Sequence, residues 1–456
     1  MNYIKPSIPK GTRDFLPEEM YRRQYVIDTI KSIFETFGYE PLETPSIEKL
    51  EVLSGKYGEE GEQLIFKILK RGTEIEKGGS ESREYTIRHL NELVDFALRF
   101  DLTVPLSRVV AMYHQELTLP FKRYQIQPVW RGDRPQRGRY REFYQCDADI
   151  VGSESMIADA ENITLIHDIL SALGFDKFKI RINNRKILTG IVEYSGVDTR
   201  KGTDICVAID KLDKIGLDGV KDELRKRDIP ESAIQKILPV LEIKGTTETM
   251  LGDISAILNS SEAGVKGINE ISEIFRYLFD FGIDFNRLTI DFYLARGLSY
   301  YTGPIYESII EESNIGSLTG GGRYDELIGL FLGQAIPATG TTLGIERIID
   351  VMTELDMLPD VKTGTTVLVT IFDDTLKSES LRTARELRKA GINAEVFLNV
   401  TALKKQFMYA NKKKIPYVIV IGPEESQRGL VALKNMISGD QEIESLIKII
   451  DRLRKK

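Results

Sequence analysis

FKRYQIQPVWRGDRPQRGRYREFYQCDADIVG, residues 121–152, decides how this chain is read. Two strand-like runs flank a turn. The first, Lys122 to Arg131, carries Tyr124, Ile126, Val129 and Trp130; the second, Arg139 to Ile150, carries Tyr140, Phe143 and Tyr144. Between them GDRPQRG has Gly at each end and Pro inside, the composition of a loop. Side chains alternate faces along a strand. Arg139, Arg141, Phe143, Gln145, Asp147 and Asp149 therefore share one face, and Arg123, Gln125, Gln127, Val129 and Arg131 share one on the first strand. The span Phe121–Arg141 holds seven Lys/Arg and one Asp. A run of charge is ordinarily a solvated face. Here Gln145 and Asp149 sit at the same parity as the arginines, beside an apolar opposite edge. That pattern predicts a polyanion-facing end joined to a small polar pocket.

The chain around this hairpin has 456 residues, enough for two or three domains with their own cores. Hydrophobic and charged contents of 42% and 29% are those of an ordinary globular protein. Two cysteines, Cys146 and Cys206, exclude a disulfide scaffold or a four-Cys zinc site within one chain and fit a reducing, cytoplasmic location. The start, MNYIKPSIPKGTRD, has prolines and charges where a secretory signal needs an apolar core. Apolar runs such as Tyr417–Ile421 are too short to span a bilayer. Net charge is −7, but Gly364–Lys456 has 17 Lys/Arg and 11 Asp/Glu, or +6, which leaves −7 − 6 = −13 for the rest. An acidic body with a basic end suits a protein that touches a polyanion at chosen places.

Before the hairpin, Pro17 to Phe37 reads as an amphipathic helix through Tyr21, Tyr25, Ile27, Ile30, Ile33, Phe34 and Phe37, stopped by Gly38. Tyr39–Glu48 is extended and broken by Pro41 and Pro45; Lys70–Tyr85 reads as a polar loop. In LRFDLTVP, Asp101 and Thr103 are two apart, which on a strand gives them one face, where acid and hydroxyl accept from an ammonium. After the hairpin, Ser153 to Leu173 is helical and Phe178–Ile182 a strand. Asn183 to about Phe281 has helical runs such as Gly219–Lys226, Glu231–Ile243 and Ile268–Phe279, separated by Gly and Pro, and reads as a helical insertion inside the first domain. Strand character returns at Leu288–Leu294. Pro337–Met352 passes from a small-residue strand into a helix that holds Arg347 in its early part. Asp356–Thr365, with Pro359 and Gly364, reads as a linker. Beyond it, strands near Val367–Ile371, Ala394–Leu398, Tyr417–Ile421 and Leu430–Lys434 alternate with helices near Leu376–Lys389, Leu403–Lys413 and Glu442–Lys455, the pattern of a small α/β domain.

There is no G-x-x-x-x-G-K-[ST] and no strand-linked G-x-G-x-x-G, which disfavours a P-loop ATPase or a Rossmann dehydrogenase. His89, His114 and His167 are far apart and form no metal-ligand spacing; no metal site is predicted. Arg131, Arg139 and Arg347 stay charged and can fork onto phosphate oxygens. Gly320, Gly321 and Gly322 either mark a bulge or tight turn or admit a ligand close to backbone.

DLTVP, RGDRPQRGRYREFYQCDAD, ARGL-YYTG, TGGGRYDEL and GIER occur in the order found in histidyl-tRNA synthetases, and with the C-terminal domain the chain resembles that family over nearly its whole length. YEPLETPSIE is similar to motif 1 and the hairpin to motif 2 of the class II aminoacyl-tRNA synthetases. The resemblance implies an α+β fold: an antiparallel sheet flanked by helices (residues 1–182 and 282–355), a helical insertion (183–281) near the tRNA acceptor arm, a linker (356–365) and an α/β anticodon-binding domain (366–456). It implies a homodimer that uses L-histidine, ATP with Mg2+, and tRNA(His). Residue by residue, the DLT segment Asp101, Leu102 and Thr103 binds histidine, with Asp101, Thr103 and Gln145 holding its α-amino group. Asp149 and Tyr300 meet the imidazole, and Tyr301 lines the same pocket. Arg131 contacts the α-phosphate, Arg139 and Arg347 the terminal phosphates. Arg296 neutralises charge as the carboxylate attacks. Where the family commonly has Asp after ARGL, this chain has Ser299. The alternative is a catalytically silent paralogue, a regulatory subunit of ATP phosphoribosyltransferase. Such paralogues lack the anticodon-binding domain and often the key arginine, whereas Arg296 and a basic C-terminal domain are both present here.

Overall fold

The computed structural model describes residues 4–70, 93–136, 138–295 and 300–454. The residue 121–152 stretch forms its longest strand pair. β5 (Phe121–Trp130) and β6 (Glu142–Val151) are antiparallel and paired along their full length, Phe121 opposite Val151 and Trp130 opposite Glu142. Alternation brings Tyr124, Cys146, Ala148 and Ile150 into the core while the polar parity stays on one face. The second strand is shorter at its start than the pattern suggests. Gly138 takes a positive φ of 72°, Arg139 folds back onto Gln136, and Arg141 gives its backbone N–H to Gly11.

The pair sits within an eight-stranded sheet with β1 (Glu40–Pro41), β7 (Phe178–Asn184), β8 (Leu288–Ile290), β9 (Pro304–Ile310), β10 (Thr319–Arg323) and β11 (Ala338–Leu343). Its order is β1-β5-β6-β11-β10-β9-β7-β8. The two edge pairings are parallel and the rest antiparallel. The helix Met156–Ala172, started by the Ser155 hydroxyl accepting from the Ile157 N–H, packs on strands of this sheet. Arg323 on β10 is buried and donates through Nε to Asp159 of that helix at 3.1 Å, and to the carbonyls of Ser153 and Ser155. A smaller sheet, β2 (Ile47–Lys49), β4 (Val94–Leu98) and β3 (Lys67–Leu69), runs in the order β2-β4-β3. The expected loop after Lys70 lies outside the described residues.

In the helix Pro17–Thr36 the buried stripe is Val26, Ile30 and Phe34, four apart, while Tyr21 and Tyr25 are exposed. Residues 185–280 are helical: Arg185–Ser195, Gly202–Ile209, Leu212–Lys226, Glu231–Leu241, Thr247–Leu258 and Glu262–Asp280. Asn184, Thr246 and Ser261 cap three of these by accepting first-turn N–H groups.

The chain divides into two compact units, Met1–Arg13 with Val26–Met357, and Asp14–Tyr25 with Leu358–Lys456. In the second, Lys362 pairs with Glu18 at 2.6 Å, which groups residues 14–25 with the C-terminal residues rather than with the sheet. The second unit holds a five-stranded sheet, β12 (Val367–Val369), β13 (Ala394–Val396), β14 (Tyr417–Val420), β15 (Val431–Asn435) and β16 (Gln441–Glu444), in the order β13-β12-β14-β15-β16. Its core is Val367, Val369, Leu387, Ile419, Ile421, Ile449 and Leu453. β16 occupies residues expected to be helical. Helix begins only at Leu446, because Gln441–Glu444 pairs with β15.

Candidate active site

Residues from separate stretches of chain meet on one face of the eight-stranded sheet. The β5–β6 register sets Arg123 opposite Asp149, Gln125 opposite Asp147 and Gln127 opposite Gln145. Arg131 follows β5, β9 brings Glu307, β10 Gly320 and β11 Thr342, and Arg347 is the third residue of the helix Ile345–Glu354. Two cavities open there, of about 500 Å³ and about 230 Å³. Arg139, Phe143, Glu346 and Arg347 line the larger; Asp101, Thr103, Tyr300, Tyr301 and Tyr306 line the smaller. Arg131, Gln145, Glu307, Gly320 and Thr342 border both, so the two adjoin.

Asp101 and Thr103 do not lie on a strand, contrary to the sequence expectation. β4 ends at Leu98 and Thr103 opens the helix Thr103–Tyr113. Asp101 stays beside Thr103 because its Oδ1 accepts from the Val104 N–H (3.1 Å) and from the Tyr57 hydroxyl (3.0 Å). Its Oδ2 is buried with no hydrogen-bond partner, and burial pushes the carboxyl above its ordinary range. A buried carboxylate oxygen without a donor is costly until one arrives; an ammonium group would supply it. Leu102 is fully buried and lines neither cavity; its carbonyl accepts from Arg123.

Arg131 is held before any ligand binds. Its Nε donates to the Phe100 carbonyl (3.0 Å), its Nη2 to Gln145 Oε1 (3.3 Å), and its guanidinium lies over the Phe100 and Phe143 rings at 4.4 and 5.2 Å. Arg347 donates to the Ser317 carbonyl at 2.7 Å. Arg139 is exposed at the rim. Asp149 lines neither cavity: it is 3% exposed, paired with Arg123 at 2.7 Å, and accepts from the Tyr324 hydroxyl. It reaches the smaller cavity through rings, Tyr324 lying 5.8 Å from Tyr300, and Tyr300 5.2 Å from Tyr301. Arg296 and Ser299 lie outside the described residues.

The three glycines form neither bulge nor turn. They sit inside β10, and their roles differ. A side chain on Gly320 would meet nothing within 4 Å, so the backbone there is open to a ligand, whereas one on Gly321 would strike the Tyr306 ring and one on Gly322 the Ile305 and Tyr301 side chains. Gly321 borders the smaller cavity and Gly322 neither. Of the histidines, His114 donates through Nδ1 to the Ala111 carbonyl and His167 contacts Asp168; His89 lies outside the described residues. Among the described residues no cluster of His, Cys, Asp and Glu could hold a metal ion, and no helix is long and apolar enough to cross a membrane.

Sequence reasoning missed Glu307, Glu346 and Tyr324. Glu346 is in the quoted GIER segment, but its importance rests on contacts more than 200 residues away. It also passed over Asp147, 1% exposed and next to the Arg123–Asp149 pair. Burial, only partly offset by the Arg123 charge, pushes its carboxyl up to about 8. The folded protein thus binds a proton there that the unfolded chain releases near pH 4. The associated stability is fully present below pH 4 and is lost as pH rises towards 8. Asp147→Asn is therefore expected to gain stability over the parent with rising pH, by up to about 1.4 kcal/mol per pH unit within that window. Urea unfolding at pH 5 and pH 8 measures this; an equal difference at both would refute it.

A mainly antiparallel sheet flanked by helices, with fixed arginines over adjoining nucleotide-sized and amino-acid-sized cavities, defines the class II aminoacyl-tRNA synthetase fold. A histidyl-tRNA synthetase structure from Nostoc sp. PCC 7120 matches with a TM-score of 0.84 at 33% identity, covering 99% of this chain and 100% of the other. A structure described as an ATP phosphoribosyltransferase regulatory subunit/histidyl-tRNA synthetase from Bacillus halodurans matches with a TM-score of 0.71 at 21% identity, over 89% of this chain and 97% of the other, a likeness of fold alone. The family model Histidyl-tRNA synthetase matches residues 11–348 and the model Anticodon binding domain residues 366–456. A histidine–tRNA ligase of Cytophaga hutchinsonii is 45% identical over 98% of this chain and 99% of its own length; one from Porphyromonas gingivalis is 46% identical over 96% and 97%. The chain belongs to the histidyl-tRNA synthetase family.

Proposed function

We propose that this chain is a histidine–tRNA ligase that activates L-histidine with ATP to histidyl-adenylate and pyrophosphate, then transfers the histidyl group to the terminal ribose of tRNA(His). The observation that carries the reading is the pair of adjoining cavities with Arg131 on their shared wall. The smaller takes histidine. Asp101, Thr103 and Gln145 hold the α-ammonium, which donates to the otherwise unpartnered Oδ2 of Asp101. Tyr300 and Tyr301 close on the ring, and Asp149 acts on the imidazole from behind, with Tyr324. The larger cavity takes ATP: Arg131 meets the α-phosphate, Arg139 and Arg347 the terminal phosphates, and Gly320 lets the nucleotide lie against backbone. Arg296 neutralises the charge that builds as the histidine carboxylate attacks. No covalent enzyme nucleophile is required; placed positive charge does the catalysis. Mg2+ arrives with the nucleotide, for which phosphates and one or two carboxylates suffice; Glu307 is the carboxylate bordering both cavities.

The basic 366–456 region reads the anticodon and the helices of 183–281 lie near the acceptor arm. The working protein is a cytoplasmic homodimer. Exposed Ile47, Phe66, Leu69 and Phe96, on or beside the small sheet, support a second copy there, and a single-chain mass by light scattering would count against it. The central test is ATP–pyrophosphate exchange with each of the twenty amino acids. Exchange with histidine alone is expected; none, or exchange driven by another amino acid, would overturn the reading. The regulatory-paralogue alternative requires none.

A further inference from the structure

The N-terminal segment lies against the turn between β5 and β6. Arg141 donates its backbone N–H to the Gly11 carbonyl (2.8 Å) and its Nη1 to the Lys10 carbonyl (3.4 Å), while its Nε binds the Asp133 carbonyl (3.2 Å). Gly11 has φ +90°, and a side chain there would come within 3.0 Å of Arg141 and Pro135. Two residues on, the Arg13 guanidinium lies 3.4 Å from the centre of the Tyr140 ring and is ion-paired with Glu346. Glu346 is 6% exposed and also accepts from the Tyr144 N–H at 3.4 Å. Tyr140, Tyr144 and Glu346 line the larger cavity; Arg13 does not. Glu346 is the immediate neighbour of Arg347.

A buried carboxylate on the wall of a site for a polyphosphate opposes its ligand unless a cation faces it. Arg13 is that cation, and as a planar fork it can pair with Glu346 and stack on Tyr140 together. We propose that Arg13 is a positioning residue for nucleotide binding, a guanidinium that masks Glu346 from the arriving phosphates and fixes Tyr140 at the cavity edge. This rests on the reading of the larger cavity as the ATP site.

The test is steady-state exchange with Arg13→Met, Arg13→Lys and the double variant Arg13→Met/Glu346→Gln. Methionine keeps most of the stem and removes the charge. Arg13→Met is expected to raise KM for ATP about tenfold, the scale of one lost charge-assisted contact, with KM for histidine unchanged. The double variant is expected to recover ATP KM to within about threefold of the parent, since no unmasked carboxylate remains. A purely structural role would instead move both KM values together, would lower the thermal midpoint in all three variants, and would not be relieved by the second substitution. Any of those results, or an unchanged ATP KM in Arg13→Met, overturns the proposal. If Arg13→Met fails to fold, the double variant and Arg13→Lys decide it, both expected near the parental ATP KM. Failure of the parent itself to exchange with histidine would fall on the functional reading and not on Arg13.

Discussion

Arg131→Met is expected to lower histidine-dependent pyrophosphate exchange by about 10²–10³, the usual cost of removing one preorganised donor from a site where charge develops. Arg131 borders both cavities, so it alone among the proposed phosphate-binding arginines stands where the histidine carboxylate and the α-phosphate would meet. Its geometry is set in advance by Phe100, Gln145 and two aromatic rings. Little reorganisation therefore accompanies the reaction. Methionine keeps the apolar stem against Phe100 and Phe143, so folding loses two hydrogen bonds, at about 1 kcal/mol each, and the guanidinium contacts with the two rings. Arg131→Lys retains charge but not the planar fork and is expected to recover only part of the loss. The measurement is kcat for exchange alongside thermal unfolding. Near-normal turnover in a folded Arg131→Met would remove this side chain from the chemistry, and with it the reading of the shared wall.

What could be read from the sequence was whatever depends on neighbours along the chain. Period-two alternation through residues 121–152 correctly gives the β5–β6 pair and the shared face of Arg123, Gln125, Gln127, Gln145, Asp147 and Asp149. Alternation gives a face but not a depth. Asp149 and Asp147 share their parity with Gln145, yet they lie farther from the turn and are buried, Asp149 against the Tyr324 hydroxyl. The spacing of two between Asp101 and Thr103 fits a strand; the Asp101 carboxylate instead accepts from the first turn of a helix, and a lone D-x-T does not distinguish the two. TGGGR has the composition of a turn, and only the register against Tyr306 and Gly340 explains why glycine is needed mid-strand. Glu307, Glu346 and Arg13 gain meaning only from partners hundreds of residues away or on other strands. In the second unit, Gln441–Glu444 looks helical locally, but pairing with β15 overrides that preference.

Arg123→Met is expected to cost about 3–5 kcal/mol of stability, the range for breaking a buried ion pair from one side. Arg123 is wholly buried, and its Nη2 faces Asp149 Oδ2 at 2.7 Å. No other buried guanidinium is paired with Asp149 among the described residues. Without it, Asp149 either remains an uncompensated charge or takes up a proton. Burial already raises its pKa, with Arg123 the main opposing influence, so the variant's folded-state value must rise further. A raised carboxyl pKa means stability that is kept at low pH and lost as pH climbs. The deficit relative to the parent should therefore be smallest near pH 4 and widen towards pH 8, which urea unfolding at the two pH values measures. Removing both charges, Arg123→Met/Asp149→Leu, leaves no stranded ion and is expected to regain most of the loss. That double variant separates stability from selectivity. A pocket built to hydrogen-bond a polar ring rejects apolar analogues by roughly 10⁴–10⁵. With Asp149 gone, the Tyr324 hydroxyl loses its acceptor, and the folded protein should discriminate poorly for histidine in amino-acid-dependent exchange. A single variant as stable as the parent would show that the pair is not the buried charge balance described. A folded double variant with full selectivity would show that the imidazole is recognised by other groups.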